Sequence, residues 1–266
     1  MGLFDKKYCS VCGDKIGLLG NRKLEDGNLC KNCAAKLSPW FNERRHSTVE
    51  DIKGQLAYRE ENKIAVGAFH TTRSLGRNTK VLLDEDARKF MVTRTSNPTN
   101  ENPDVLDYSQ VTGCDLDIQE NRHELTHKDN EGKSVSYNPP RYEYSYDFYV
   151  TIRVNAPYFD EIRFPLNSGS VNTGERCMAA GTGAGQWRVG GNAFGIRAGA
   201  GANDYYEFVN MGNEIREALT AARQEIRDEV IAANTPKTAV RCPACGASTL
   251  GDANGCCEYC GSPLPN

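Results

Sequence analysis

The sequence predicts an α+β protein: an antiparallel sheet closed by one long C-terminal helix, with a small cysteine-rich module at either end. Three observations carry this. Eight of the eleven cysteines fall into Cys-x-x-Cys pairs confined to the two ends of the chain. The middle is a succession of segments alternating between apolar and polar residues, separated by turn residues. From Asn203 an apolar stripe recurs at helical spacing for nearly thirty residues.

The first module pairs Cys9 with Cys12 and Cys30 with Cys33, with 17 residues between the two pairs. Two such pairs bring four thiolates to one point, the ligand set of a tetrahedral zinc ion. Gly13 follows the second cysteine, where freedom to take positive φ lets the chain turn back around a metal. Between the pairs, residues 22–29 read as a short hairpin with Asp26 and Gly27 at its turn. After Cys33, Ala34 to Leu37 read as a helix start, broken by Ser38 and Pro39. Knuckle, hairpin and second knuckle at the head of a helix describe a treble-clef-like module over residues 1–41.

A linker and helix are expected over 42–63. Ser47 or Thr48 caps this helix, Glu50 and Asp51 occupy its first turn, Ile52 and Leu56 face inward with Tyr58 or Arg59 as further candidates for that face, and Arg59 to Lys63 read as a solvated cluster. The sheet domain follows over 64–233. Residues 80–83 and 88–92 read as a hairpin, 97–104 as a loop, and 112–118 as a half-buried strand. Tyr142 to Val154 alternates over a long range, and 161–166 is a shorter strand. One antiparallel sheet of six or seven strands is expected.

Residues 167–203 are rich in glycine and read as a long surface insert, since each glycine loses much backbone entropy on ordering. No phosphate-binding glycine motif occurs there. The closing helix, 204–233, is capped by Asn203 or Asp204. It carries Tyr205, Phe208, Val209, Gly212, Ile215, Leu219, Ala222, Ile226 and Val230 on one stripe.

The last module, 234–266, pairs Cys242 with Cys245 and Cys257 with Cys260, each pair followed by glycine, and reads as a zinc ribbon. Cys257 and Cys260 are taken as the second ligand pair because they have the Cys-x-x-Cys-Gly spacing. Cys256 is then a bystander or an alternative ligand. Two zinc ions are expected, both structural, because four cysteines leave no open position for water.

The chain carries 32 Lys and Arg against 35 Asp and Glu, a net charge of -3, so no general attraction to nucleic acid or anionic lipid follows. Residues 1–45 alone hold nine basic against five acidic residues. No stretch approaches the ~20 apolar residues of a transmembrane helix, and the start lacks the apolar segment of a secretory signal. Paired thiols used as metal ligands imply a reducing compartment, so a cytoplasmic location is expected.

His123, Glu124 and His127 match the His-Glu-x-x-His pattern of zinc metallohydrolases. That chemistry needs a helix, whereas the motif lies in hairpin-like sequence, where the two imidazoles would stand about 13 Å apart. Of the thiols outside the modules, Cys114 reads as a small buried hydrophobe in a strand and Cys177 as part of the insert. Tyr142, Tyr144 and Tyr146 share one strand face, suited to cross-strand packing or to stacking on bases.

The first module, with Cys9, Cys12, Gly13, Asp26, Gly27, Cys30, Cys33 and Pro39, resembles the zinc-binding domain DUF4428, found at the N-terminus of many bacterial proteins. The resemblance covers about the first 40 residues, implies the four cysteines as metal ligands and brings no enzymatic activity. By element order, the middle resembles bacterial pleckstrin-homology-like domains, which implies protein or membrane-periphery binding. The last module resembles the short zinc ribbon. Together these imply a non-enzymatic scaffold or adaptor of a bacterial cytoplasm, with a protein partner or homo-oligomer. A nucleic-acid-binding protein is the alternative, peripheral membrane contact is possible, and a zinc metallohydrolase using His123, Glu124 and His127 is a further alternative.

Overall fold

The computed structural model describes residues 6–177, 202–234, 239–252 and 255–265. The chain divides into two compact units, residues 1–223 and 224–266, and the division falls within the last helix.

In the first unit, β1 (Lys7–Tyr8) pairs with β2 (Lys15–Ile16), and β3 (Arg22–Lys23) with β4 (Asn28–Leu29), ahead of the short helix α1 (Lys31–Ala34). The Asp26–Gly27 turn docks on the start of α2 (Val49–Ala68): Asp26 Oδ1 accepts the Val49 N–H at 2.8 Å. Thr48 caps α2 in a reciprocal box with Asp51, which satisfies two backbone donors that a helix start leaves orphaned. Ile52 is fully buried against Leu24, Leu29 and Leu37, so the opening of α2 completes the core of the cysteine module.

The later turns of α2 differ from expectation. Asn62, expected in a solvated cluster, and Arg59, expected either there or on the inward face, are both 5% exposed. Arg59 pairs with Asp104, and Asn62 donates to the Pro103 carbonyl at 2.7 Å and accepts from the Val105 N–H at 2.9 Å. Residues 102–105, of which 102–104 were expected as loop, supply those partners; Glu60, Glu61 and Lys63 remain exposed, and only Arg59 and Asn62 turn inward, where their polar groups are met.

Strands β5 (Arg73–Gly76), β6 (Lys80–Asp84), β7 (Lys89–Thr93) and β8 (Val105–Asp107) form one antiparallel sheet in that order, with the short helix α3 (Pro98–Glu101) between β7 and β8. β9 (Val111–Glu124), β12 (Arg141–Val154), β13 (Glu161–Pro165) and β14 (Val171–Cys177) form a second. The hairpin β10 (Thr126–Lys128) and β11 (Ser134–Ser136) lies between β9 and β12 in the chain. The strands therefore divide between sheets, where the alternation pattern suggested one; alternation reports which face is buried, not which edge is paired.

β9 lines one edge of β12 along nearly its whole length. β13 and β14 follow one another along the other edge. Between them Asn167 takes over the ladder, accepting the Phe148 N–H at 2.8 Å and donating to the Gly169 carbonyl at 3.0 Å. This satisfies a buried backbone donor where the edge strand breaks. The expected glycine-rich loop thus begins with a strand, because residues 171–177 find a free edge of β12 to pair with. The remainder of that insert, residues 178–201, lies outside the described residues.

The helix α4 (Ala202–Asn234) packs its first turns on this second sheet. Tyr205 meets Tyr146 and Phe148 edge-on, Phe208 stacks on Phe148 at 5.5 Å, and Ile215 and Leu219 are fully buried. Arg73 reaches Glu214 at 2.9 Å, and Arg77 pairs with Glu207. Val230, placed by periodicity on the same stripe, is 54% exposed. Among the described residues, no helix is long and apolar enough to cross a membrane.

In the second unit, β15 (Val240–Arg241) pairs with β16 (Ser248–Thr249) beside two cysteine turns.

Candidate metal centres

Three of the four cysteine pairs are built alike. In each, the N–H of the first cysteine donates to the carbonyl five residues on, and the glycine after the second cysteine donates back to the first. The bonds are Cys9 to Asp14 and Gly13 to Cys9, Cys242 to Ala247 and Gly246 to Cys242, and Cys257 to Ser262 and Gly261 to Cys257, at 2.8–2.9 Å. The turn forces φ to 78°, 75° and 72° at Gly13, Gly246 and Gly261, a region that a side chain disfavours. The fourth pair is built differently. Cys30 is the N-cap of α1, its sulfur accepting the Cys33 N–H, and Cys33 lies inside the helix.

These turns bring together Cys9, Cys12, Cys30 and Cys33 in the first unit, and Cys242, Cys245, Cys257 and Cys260 in the second. Within each group the sulfurs lie within 4.8 Å of one another. Cys12 and Cys30 are 3.7 Å apart, and Cys242–Cys260 and Cys245–Cys257 are each 3.6 Å apart. A tetrahedron with Zn–S bonds of ~2.3 Å has edges of about 3.8 Å, so the spacing fits a zinc ion and is far too long for a disulfide. The two clusters could each hold a metal ion, and an all-thiolate set of this size is consistent with zinc.

In each cluster one sulfur is prepared for charge by hydrogen-bond donors, while Cys12, Cys33 and Cys245 are held toward the neutral thiol. Burial opposes the Cys9 thiolate, but hydrogen bonds from the backbone of Cys12, Cys30 and Val11 outweigh it and hold its pKa down to about 6. Cys260 is likewise brought to about 6 by hydrogen bonds from the Ser262 side chain and backbone. Burial and its cysteine neighbours push the Cys33 thiol up. A bound cation would supply the charge that lets all four sulfurs of a cluster ionise together.

Cys256 stands outside the cluster. Its N–H donates to Asp252 Oδ1 at 2.8 Å and its backbone bridges to Pro263, which leaves the cysteine turn to Cys257.

The His-Glu-x-x-His residues are on extended chain: His123 and Glu124 end β9, and His127 lies in β10 beside the Tyr137 ring at 4.7 Å. Among the described residues, neither histidine joins two further potential ligands. Tyr144 and Tyr146 are 1% and 5% exposed, facing the core rather than offering a stacking platform. Burial pushes the Cys114 thiol up to about 12.

The fold and the two clusters define an α+β protein with a group of four cysteines, compatible with zinc, in each of its terminal modules. Residues 7–55 match the family model described as Domain of unknown function (DUF4428). That match runs past the expected 40 residues to the part of α2 that carries Ile52. No curated protein and no solved structure matches the chain.

Proposed function

We propose that this protein is a non-enzymatic, zinc-stabilised scaffold or adaptor of a bacterial cytoplasm that binds protein partners, or a second copy of itself, through a pleckstrin-homology-like central domain. The carrying observation is the outer edge of β9. Among the described residues this strand of 14 pairs only with β12, and its last six residues, Gln119–Glu124, are exposed. Along those six exposed residues the edge offers a row of backbone donors and acceptors to an added strand, whereas nearer the start of β9 the Thr112 carbonyl is already taken by Arg223.

A four-stranded sheet, a second sheet built around β12 and a closing helix support the pleckstrin-like reading of the central domain. The all-cysteine clusters support structural zinc, since neither leaves a position for water or substrate. Cys9, Cys12, Cys30 and Cys33 are proposed to hold one ion, and Cys242, Cys245, Cys257 and Cys260 the other.

The test is native mass spectrometry on protein purified without added metal, followed by hydrogen exchange on any complex found. Two zincs per chain, with partner or self-association slowing exchange at residues 119–124, are expected. Three zincs, the third lost in His123→Ala, would replace this reading with the metallohydrolase.

A further inference from the structure

Leu18 and Leu19 sit at the centre of a turn closed by the Gly20 N–H donating to the Gly17 carbonyl at 3.0 Å, and they are 88% and 89% exposed. Turn centres favour Gly, Pro, Asn, Asp and Ser. Two adjacent leucines with almost their whole side chains in water are therefore unexplained by folding: they stabilise nothing in the module that carries them.

Beside this turn lies a cleft of about 830 Å³ whose walls include Arg22, Lys23, Arg44 and Arg45, with Glu25 as the one acidic lining residue. The turn and the cleft are joined, since Arg22 Nη1 donates to the Leu19 carbonyl at 3.3 Å. Arg44 is fixed on the Lys23 carbonyl at 2.6 Å, and burial, then the charges of Arg45 and Arg22, lower its pKa. Among the described residues none of the four basic side chains forms an ion pair, so their charges are available to an external anion. The polarity of the chain agrees. Residues 1–45 hold nine basic and five acidic residues, whereas the whole chain has 32 and 35, so this end is positive on an otherwise acidic protein.

We propose that the N-terminal module docks on an anionic lipid surface, with Leu18 and Leu19 entering the apolar side of the interface while Arg22, Lys23, Arg44 and Arg45 hold headgroup phosphates. Apolar side chains next to a cationic cluster are the two halves of interfacial membrane binding. A nucleic acid would satisfy the cations alone. It would leave both leucines in water, and no aromatic ring lines the cleft to stack on a base. The inference is independent of the edge of β9 and stands or falls separately from it.

The test is co-sedimentation of the full chain with vesicles of phosphatidylcholine containing phosphatidylserine, against vesicles of phosphatidylcholine alone. Binding to the anionic vesicles only, weakened by raising salt, is expected. The Leu18→Ser/Leu19→Ser variant should bind tenfold or more weakly. The exposed pair Lys23→Gln/Arg45→Gln should lose about fivefold per charge, about 25-fold together. Both variants should keep wild-type zinc content, which separates lost docking from a lost fold. No binding to anionic vesicles would overturn the proposal. So would binding that ignores the leucines and is matched by duplex DNA of equal charge, since that identifies a general polyanion site.

Discussion

Arg59 Nη1 and Asp104 Oδ1 lie 2.7 Å apart, with side chains 5% and 0% exposed. Ser38, at the end of the cysteine module, donates to the second carboxylate oxygen at 2.7 Å, and Arg59 Nε donates to the Lys36 carbonyl at 3.3 Å. One buried ion pair thus joins the first cysteine module, α2 and the chain entering β8. Because every charged oxygen and most guanidinium donors are met, the network secures one placement of these elements. Breaking it would cost more than its net contribution.

Replacing Arg59 with Met should therefore destabilise the first unit by about 3–5 kcal/mol at pH 7, since Asp104 is left buried without its cation. Burial already raises the Asp104 pKa, against the pull of Arg59 and Ser38. A folded-state pKa above the unfolded value gives a contribution that is fully present below the unfolded pKa and is lost as pH rises through the folded one. Without Arg59 that pKa rises further, so the deficit of the variant should shrink as pH falls from 7 to 5. Denaturant unfolding at the two pH values checks this, and an equal deficit at both would mean that the carboxylate has become hydrated.

Metal removal should unfold both cysteine modules, because neither has a core large enough to stand without the ion. Cys9→Ser and Cys257→Ser should each lower zinc content by one per chain, and Cys256→Ser should leave it unchanged. Elemental analysis distinguishes the cases. A zinc lost in the Cys256 variant would move the second cysteine turn by one residue.

Gly27→Ala should cost about 1–3 kcal/mol, the usual penalty of overpacking. A Cβ there would lie 2.6 Å from Val49 Cγ2 and 2.7 Å from Ser10 Oγ, so both side chains would have to shift, and the Ser10 hydroxyl would lose its place as acceptor of the Asn28 N–H. Thermal unfolding of the zinc-loaded protein reads the effect; an unchanged midpoint would show that the turn does not press on α2.

Leu219→Ala should cost about 2–5 kcal/mol, whereas Val230→Ala should stay within about 0.5 kcal/mol of wild type. Both lie on one helical stripe, but only Leu219 is buried. Comparable losses in denaturant unfolding would place Val230 in a contact made in solution.

Much of the chain was legible because its signals are local. A knuckle is a six-residue hydrogen-bonded turn, so Cys9, Gly13, Cys242, Gly246, Cys257 and Gly261 announce it by spacing alone. The hairpin at Asp26 and Gly27, the Thr48 cap and the long alternation of Tyr142–Val154 are equally short-range. Cys256 shows the limit: spacing favoured Cys257, and the structure separates the two by placing Cys256 in a bridge to Pro263 while Cys257 turns toward the other sulfurs.

Sequence by itself determined which thiols come in pairs, that α2 begins at the Thr48 cap and which strand faces are apolar, since each depends on neighbours within about one turn of chain; α1, expected from Ala34, instead runs over Lys31–Ala34 behind Cys30, and α4 begins at Ala202, ahead of the expected Asn203 or Asp204 cap. Tertiary structure alone decided that the strands split into two sheets, that residues 171–177 complete the edge of β12, that Asn62 faces inward, and that Arg59 belongs to the inward face rather than to the solvated cluster. Those outcomes depend on partners 40 or more residues away in the case of Asn102 and Asp104. A polar side chain carries no mark of whether water or a distant partner will satisfy it; the fold supplies the partner, and the cost of burying a charge without one then selects that arrangement.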